Sequence, residues 1–246
     1  MIKKFKEKSL IKKILTILIA LVILLILTLS IYWINRVGKN YYDKSLFENL
    51  DVSAVNKLMI VAHPDDETLW GGGHLSEGGY LVLCITDGYN ETRKNEFDNA
   101  VKTLNETNIP VILNFPDKTF NKRDNWYGIK GKIGIAVDKA VKMKDWDLIV
   151  THNKEGEYGH IHHKMTSSIV RKEYNSTDKK SPLYLFGTYH SLKKLPEYES
   201  EMIPMNKAEY NKKVEALDCY TSQKKVVDGL FHMVKYENWI EYDEND

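Results

Sequence analysis

The chain has 246 residues, with 35 basic and 34 acidic side chains. The first 34 residues differ in composition from the rest, and the remaining length suits one globular domain with its own hydrophobic core. The formal net charge of +1 becomes about −4 once the six lysines and one glutamate of residues 1–13 are set aside. This balance argues against a nucleic-acid partner, which calls for a basic surface.

A basic tail, residues 1–13, precedes an uncharged apolar run, residues 14–34. At a rise of ~1.5 Å per residue this run spans the ~30 Å hydrocarbon core of a bilayer as one transmembrane helix. A buried helix of the domain and a cleavable signal peptide are the alternatives. Tyr32 and Trp33 close the run and suit a membrane interface, which favours a retained anchor. The lysines before it predict a single-pass topology with a cytoplasmic N-terminus and an extracytoplasmic domain.

Residues 35–56 are polar and unpatterned, so we expect a linker there that leads into a domain at residues 57–246. From Lys57 onward, short apolar runs alternate with longer amphipathic segments. The apolar runs predict strands at residues 57–62, 80–86, 110–115, 147–152 and 181–190. The amphipathic segments predict helices at residues 91–105, 130–144, 160–174 and 206–220. This alternation is typical of an α/β fold, with a Rossmann-like, mostly parallel sheet and helices on both faces.

The two cysteines lie in apolar patterns. Cys84 falls in a predicted strand and Cys219 in a predicted helix. We therefore expect two free thiols rather than a disulfide.

Polar side chains follow the first predicted strand without a break. Here the chain reads His63, Pro64, Asp65, Asp66 and Glu67. Consecutive carboxylates also occur at ordinary helix starts, where they favour the positive end of the helix dipole. In open parallel sheets, however, ligands bind outside the carboxyl ends of the strands. A histidine beside two aspartates at such an end supplies both metal ligands and an acid or base.

The fourth predicted strand is followed by a cluster of histidines. Four of the eight histidines of the chain are found here, at positions 152, 160, 162 and 163. His160 and His163 are three residues apart at a predicted helix start, so they share one face. Together with His63 and Asp66 from the first strand end, they form a candidate zinc site.

The motif AHPDDE at residues 62–67 and the element GHIHH at residues 159–163 resemble those of a zinc-dependent deacetylase family. This is the N-acetylglucosaminyl-phosphatidylinositol de-N-acetylase family, also called PIG-L or LmbE-like, and the resemblance extends over most of residues 57–172. The resemblance implies that His63, Asp66 and His163 are metal ligands and that Asp65 is the general base. It also implies that a protonated His160 stabilises the oxyanion. Three protein ligands leave one position at zinc open for the reacting water, and the same ligands also accept ferrous iron.

Other positions match the family less closely. Arg93 is similar to an arginine that grips substrate, and Asp117 to an aspartate that contacts sugar; a solvated helix residue and an ordinary turn are the alternatives. His162 stands where bacterial members often have aspartate and eukaryotic ones asparagine. A carboxylate there would orient a neighbour and tune its basicity, so its absence leaves the pH dependence open, and the alternative is that His162 points to solvent. Glu155, Glu157 and Tyr158 precede this element, where the alternatives are a rim of the site and a solvated loop; we expect the loop.

The resemblance implies a membrane-anchored, zinc-dependent deacetylase. Its substrate would be an N-acetylglucosamine-type amino sugar in a polysaccharide or glycolipid of a bacterial cell surface. Two alternatives stay open: a hydrolase of another amide, and an inactive module that binds glycan or metal. Asp65 argues against the inactive module, because metal binding does not require a base beside the metal.

Overall fold

The computed structural model describes residues 2–178 and 181–244. The chain divides into two compact units, Met1–Asn40 and Tyr41–Asp246. In the first unit, helix α1 (Ile2–Gly38) contains the predicted apolar span. Its segment Leu10–Gly38 has a mean hydropathy of 3.2 and is long and apolar enough to cross a membrane. A signal sequence near an N-terminus meets the same description, so the structure is compatible with a retained anchor and with a cleaved signal sequence.

The second unit is an α/β domain. Its helices are α2 (Leu46–Asn49), α3 (Asp66–Ser76), α4 (Glu91–Leu104), α5 (Lys130–Lys142), α6 (Gly156–Gly159), α7 (Ile161–Asn175), α8 (Leu195–Tyr198), α9 (Lys207–Leu217) and α10 (Lys224–Leu230). Its strands are β1 (Lys57–Val61), β2 (Tyr80–Thr86), β3 (Ile109–Phe115), β4 (Lys118–Thr119), β5 (Lys122–Arg123), β6 (Leu148–Thr151), β7 (Leu183–Leu185) and β8 (Ile240–Glu241). Every predicted strand and helix is present, with ends shifted by a few residues; β7 is the most shortened.

Six strands form one sheet in the order β3-β2-β1-β6-β7-β8. All neighbours are parallel except β7 and β8, which are antiparallel. The chain moves from β1 outward to β3 on one side, and then returns to place β6 on the other side of β1. The order of strands therefore reverses between β1 and β6, which is where ligands bind in folds of this type.

Alternate residues of β1 face two separate cores. Leu58 and Ile60 pack with residues of α5 and α7, whereas Met59 and Val61 pack with residues of α3, α4 and α9. This alternation follows from the two-residue period of a strand, and burial on both sides explains why the strand sequences are continuously apolar. The predicted fold, a mostly parallel sheet with helices on both faces, is confirmed.

Both cysteines are free, as predicted. Cys84 is buried in the core beside α3, and Cys219 is half-buried against the same core.

Residues 41–56 differ from the expected linker. Tyr41, Phe47 and Val55 are buried in the core beside α5, and the ring of Tyr41 stacks on Phe115 with centroids 4.7 Å apart. These apolar residues are too widely spaced to give a periodic pattern, so the sequence around them reads as polar. The compact unit accordingly begins at Tyr41 rather than at residue 57.

Helix α3 packs closely because of its glycines. A Cβ atom on Gly71 would lie 2.5 Å from the Cε atom of Met59, and one on Gly72 would lie 2.8 Å from the Cγ atom of Lys213. Lys213 itself is fully buried and donates to Glu237 over 2.6 Å. The glycine run thus brings α3 against both the sheet and α9, and this fixes the direction of the motif that precedes α3.

Candidate active site

The candidate site lies at the carboxyl ends of β1 and β6. These strands pair in parallel up to Ile60 and Thr151, so the residues that follow emerge side by side. The backbone N–H of Ala62 donates to Nε2 of His152 over 3.0 Å and joins the two strand ends. Helices α3 and α7 begin shortly afterwards. The two sequence motifs therefore converge at one edge of the sheet.

Asp66 lies between two histidines, one from each motif. Its Oδ2 atom is 3.1 Å from Nδ1 of His63, and its Oδ1 atom is 3.2 Å from Nε2 of His163. All three residues are buried. The backbone N–H of His63 also donates to Oδ2 of Asp66 over 2.8 Å, which fixes the carboxylate. The structure thus brings together the three residues that the resemblance implies as metal ligands.

Glu157 orients two of the histidines. Its carboxylate accepts hydrogen bonds from Nδ1 of His163 and, over 3.0 Å, from Nδ1 of His152. Burial opposes the ionisation of Glu157, but these imidazole N–H groups outweigh it and lower its pKa to about 2. A carboxylate behind a ligating histidine fixes which nitrogen carries the proton.

The buried position of Glu157 differs from the solvated loop that we expect from the sequence. Its backbone has a φ of 54°, a conformation that residues with side chains seldom adopt, and the side chain of Asn153 accepts its N–H over 3.0 Å. In the polar run EGEYG, residues 155–159, only the two glycines distinguish the sequence around Glu157 from that of an ordinary surface loop. Gly156 and Gly159, both at positive φ, are the signal of an unusual turn.

One ring nitrogen of His163 is buried and lacks a hydrogen-bond partner among the described residues. Nδ1 of His163 donates to Glu157, whereas Nε2 lies 3.2 Å from the Oδ1 atom of Asp66. Burial opposes the protonation of His163, but the carboxylate of Asp66 outweighs it and raises the pKa of this ring. A metal cation would replace that proton, and a set of two imidazoles and one carboxylate suits zinc or ferrous iron. His63, Asp66 and His163 therefore fit a divalent metal ion.

His152 also lies close to this cluster, since one of its nitrogens is within 4.8 Å of ligand atoms of Asp66 and His163. Its two nitrogens are already used, however. Nε2 accepts the N–H of Ala62, and Nδ1 donates to Glu157. His152 therefore supports the cluster and leaves metal binding to the other residues.

Asp65 is held in a strained backbone conformation, with a φ of 113°, directly before α3. An aspartate at this position usually caps the helix, but the side chain of Asp65 makes no capping bond and lines a cavity instead. Burial and the neighbouring carboxylate of Asp66 raise the pKa of Asp65 to about 8. The side chain is thus a carboxylate beside the metal ligands that can take up a proton.

Glu67 holds the backbone of Asp65 in place. Its Oε2 atom accepts the N–H of Asp65 over 3.1 Å, and its Oε1 atom accepts the hydroxyls of Thr68 and Tyr220. Tyr220 lies about 150 residues further along the chain. The sequence contains no signal that links it to this motif.

His160 lies next to the two ligand histidines. Its ring centroid is 4.3 Å from that of His163 and 4.7 Å from that of His63. Burial and the neighbouring His63 lower the pKa of His160 to about 2, and its Nδ1 atom faces the guanidinium of Arg123 at 3.5 Å. In the metal-free chain these surroundings favour the neutral ring, whereas the resemblance implies a protonated imidazole. A neutral imidazole still has one N–H to donate.

Arg93 and Asp117 both line the cavity above the cluster. Arg93 is buried, donates to the backbone oxygen of Pro64 and lies 3.9 Å from Oδ2 of Asp65. Asp117 has its Oδ1 atom 3.5 Å from Nε2 of His63. Both side chains thus contact the motif itself, and their role in holding substrate stays a prediction.

His162 is fully buried and does not point to solvent. Its ring stacks on Trp126 with centroids 4.3 Å apart. Nδ1 of His162 is 2.9 Å from Nε2 of His63, and Nε2 of His162 is 2.5 Å from the backbone oxygen of Asp124. Burial lowers the pKa of His162. The residue that departs from the family pattern thus touches a candidate ligand directly.

A cavity of about 640 Å³ opens over these side chains. Beyond the residues already described, its walls come from the end of β2, from the hairpin formed by β4 and β5, and from α10; they are Asp87, Tyr89, Asn90, Lys118, Arg123, Tyr158, Gln223, Lys225, Val226, Gly229 and Leu230. The hairpin and α10 are not predicted from the sequence, because their strands and helix are too short for a periodic pattern. These two elements nevertheless shape the entrance.

Comparison with known proteins agrees with this geometry. The family described as GlcNAc-PI de-N-acetylase, PIG-L, matches residues 58–174. The chain carries a PIG-L family domain. The matched region runs from β1 into α7, so it contains both motifs and the whole candidate metal cluster. The family resemblance seen in the sequence is thereby confirmed, whereas α10 and Tyr220 lie outside the matched PIG-L region.

Proteins similar to this chain occur among curated proteins and solved structures. An uncharacterized protein of Acanthamoeba polyphaga mimivirus is 30% identical over 147 residues, which cover 53% of this chain and 63% of that protein. This chain thus spans less than two thirds of that relative's length. The A40926 pseudoaglycone deacetylase Dbv21 has a TM-score of 0.55 at 18% identity, covering 72% of this chain and 86% of that chain. A deacetylase of the teicoplanin biosynthesis pathway has a TM-score of 0.52 at 18% identity, covering 72% and 89%. These two structures share the fold.

Proposed function

We propose that this protein is a metal-dependent de-N-acetylase that removes the acetyl group from an N-acetylglucosamine-type amino sugar. One observation carries the proposal. The two carboxylate oxygens of Asp66 face ring nitrogens of His63 and His163, and the carboxylate of Asp65, free of any capping bond, lines the cavity beside them. A metal site with an adjacent base is what hydrolysis of an unactivated amide requires.

Each residue has a defined task in this proposal. His63, Asp66 and His163 would hold zinc or ferrous iron, and the bound ion would supply Lewis acidity and lower the pKa of a coordinated water. Asp65 accepts the proton of the attacking water and later returns it to the departing amine. The N–H of neutral His160 donates to the acetyl oxygen as negative charge develops there, and loss of one such donor typically costs about a hundredfold or more in rate.

The substrate is proposed to be a glycan or glycolipid at a cell surface. The family description names GlcNAc-PI, and the two solved structures are a deacetylase of A40926 pseudoaglycone and a deacetylase of the teicoplanin biosynthesis pathway, so removal of an acetyl group is common to all three names. Helix α1 supports a membrane location, with the lysine-rich end in the cytoplasm and the domain outside. Asp117 and Arg93 are proposed to contact the sugar from the cavity wall.

The test is acetate release by the full chain in detergent micelles. N-acetylglucosamine oligomers, cell-wall and capsular glycans, and N-acetylglucosaminyl-phosphatidylinositol are offered in turn, each with zinc or ferrous iron and again after chelation. We expect release from one of these classes, with loss on chelation and recovery on metal addition. Metal binding without release from any of them would contradict the proposal and favour another amide or a binding module.

A further inference from the structure

We infer that the β4–β5 hairpin docks the mouth of the cavity onto the surface of an anionic lipid bilayer. This inference rests on the membrane location in the proposed function, because it names the surface that the domain turns toward that membrane. Lys118 and Arg123 of the hairpin line the cavity, and Phe120 lies in the turn between them. The hairpin is therefore a wall of the cavity, and its turn reaches solvent beside the opening.

Phe120 exposes an apolar ring in the turn of the hairpin. Its exposed fraction is 82%, the largest of the bulky apolar side chains among the described residues. Its backbone has a φ of 51°, and that of Asn121 has a φ of 59°. Glycine or asparagine suits such a conformation, whereas a phenylalanine is strained there. Because so little of the ring is buried, the fold gains little from it, and the residue points to a use outside the domain.

Other apolar side chains at the mouth of the cavity are exposed as well. Tyr89 follows β2, and Val226 belongs to α10; both line the cavity and both are exposed. Single exposed apolar residues are common on soluble proteins, but several around one opening indicate an interaction surface. With Phe120, these residues place apolar surface at three places around the mouth.

Positive charge accompanies this apolar surface. Four exposed cations lie in the hairpin and in α10, namely Lys118, Lys122, Arg123 and Lys225. The carboxylate of Asp117 lies 3.9 Å from Nζ of Lys118 and 3.7 Å from Nη1 of Arg123, but Asp117 is half-buried, as is Asp87 of the same cavity wall. The exposed rim thus combines cations with apolar rings, a composition that suits the phosphate headgroups and outer acyl region of an anionic bilayer.

The chain enters the domain close to this hairpin. Tyr41, the first residue of the second unit, stacks on Phe115, which ends β3 three positions before the hairpin. Tyr41 follows Ile34, the last residue of the apolar run, by seven positions. Seven residues span at most ~25 Å, which is less than the roughly 40 Å diameter of a domain of this size. Chain length alone therefore keeps this edge of the sheet near a bilayer that the apolar run crosses.

A fluorescent label in the turn tests the docking. The full chain with Phe120→Cys and Cys219→Ser is labelled with an environment-sensitive dye and reconstituted into phosphatidylcholine vesicles, with or without phosphatidylglycerol. Cys84 is fully buried, which leaves position 120 as the reactive thiol. Lipids that carry a nitroxide near the headgroup then quench a dye that enters the outer ~5–10 Å of the bilayer.

Ile203→Cys, labelled in the same way, is the matched control. Ile203 is 78% exposed and lines a second cavity with Leu148, which begins β6, so this position lies toward the opposite edge of the sheet. In vesicles that contain phosphatidylglycerol, we expect at least about twofold stronger quenching at position 120 than at position 203. The difference should shrink without phosphatidylglycerol and at high salt, because salt screens the attraction between the cations and the lipid.

A second pair of variants tests the contribution of charge. Lys122→Glu should reduce the quenching at position 120 by about twofold, whereas Lys172→Glu, an exposed position near the end of α7, should leave it unchanged. Equal quenching at positions 120 and 203, or none at position 120 in a chain that sediments with the vesicles, would overturn the docking. Shielding of position 120 from iodide by soluble N-acetylglucosamine oligomers, without quenching by lipid, would overturn it in favour of a sugar-binding platform.

The outcomes of this experiment are separate from those of the acetate assay. Quenching requires no turnover, so a chain that docks but releases no acetate would count against the deacetylase function and support the docking. A chain that does not sediment with the vesicles would contradict the anchor and the docking together.

Discussion

Asp65 directly precedes helix α3, but its carboxylate does not cap that helix. Its backbone is strained, its N–H is bound by Glu67, and its side chain turns into the cavity rather than capping α3. Strained backbone of this kind persists only where the surroundings enforce it, and it concentrates at functional sites. At the scale of single residues, the site is thus arranged around one carboxylate that makes no capping bond and stands apart from the proposed metal ligands.

Replacing Asp65 by Asn tests its proposed role as a base. The amide has the same shape but cannot take a proton, so we expect kcat to fall by about 10²- to 10⁴-fold with metal content unchanged. Kinetics of acetate release and metal analysis of the purified protein measure the two quantities. Asp138→Asn, on the partly exposed surface of α5, is the matched control. An Asp65→Asn enzyme with nearly full activity would exclude this residue as the base.

The same residue predicts how the stability of the metal-free protein depends on pH. The pKa of Asp65 rises from 3.8 to about 8 on folding. Between these values the unfolded chain has released a proton that the folded chain retains, so this group lowers stability as the pH rises through that window. In chelator, the stability of Asp65→Asn relative to the unaltered protein should therefore increase from acid to neutral pH. Urea unfolding across the window measures it, and a difference independent of pH would refute the shift.

Glu157→Gln tests the support behind His163. Both imidazole N–H groups donate to Oε2 of Glu157, and the backbone N–H of Asn153 donates to Oε1. A glutamine that keeps its oxygen toward the histidines loses the negative charge and places its N–H₂ against the N–H of Asn153. We expect about 10- to 100-fold weaker zinc affinity, with kcat largely recovered at saturating zinc. Competition with a chromophoric chelator measures the affinity. Glu155→Gln, whose side chain is 85% exposed, should leave it unchanged, and an equal effect of both substitutions would disprove a specific role.

At the level of residues, the sequence predicts the positions whose motif itself carries chemistry. His63, Asp65, Asp66, His160 and His163 follow two predicted strands, and the structure places all five at one edge of the sheet. The supporting residues are not predictable, because a buried carboxylate such as Glu157 looks like any surface glutamate until its partners are known. The lowered pKa of His160 is not predictable either, since it depends on burial that no local pattern encodes.

Helices and strands with a regular hydrophobic pattern are predictable from the sequence, whereas short or irregular elements are not. Strands β1, β2 and β6 are predictable because burial on both faces makes them continuously apolar. The β4–β5 hairpin is not predictable, since each strand has two residues and its turn places Phe120 and Asn121 at positive φ without a glycine. Short elements of this kind depend on tertiary contacts rather than on their own sequence.

Tyr220→Phe tests the connection between the end of α9 and the first motif. The substitution removes one of the two hydroxyls that donate to Oε1 of buried Glu67, and loss of a buried hydrogen bond of this kind costs about 1–2 kcal/mol of stability. The midpoint of urea unfolding measures the loss. Tyr210→Phe, a partly buried residue against the same core, serves as the control and should change stability little. Equal midpoints for the two variants would show that the hydroxyl of Tyr220 contributes nothing.

For the whole molecule, the open question is what becomes of helix α1. A retained anchor predicts that the full chain sediments with membranes, resists extraction with alkaline carbonate and keeps residues 1–34 in the mature protein. We also expect protease added outside intact cells to reach the domain, because the lysines hold the N-terminus in the cytoplasm. Mass spectrometry of the mature N-terminus measures retention. A soluble mature chain that lacks this segment would identify a cleaved signal sequence instead.

Helix α10 forms one wall of the cavity and can change without altering the two sequence motifs. Val226, Leu230 and Lys225 face the opening, yet they lie beyond the matched family region, and the segment before them is fastened by Ser222 to Glu96 of α4. Selection can therefore act on this segment with little effect on the strand ends that carry the proposed metal ligands and base. Exchanging residues 224–230 between relatives should redirect which molecules are deacetylated while the hydrolytic step stays the same.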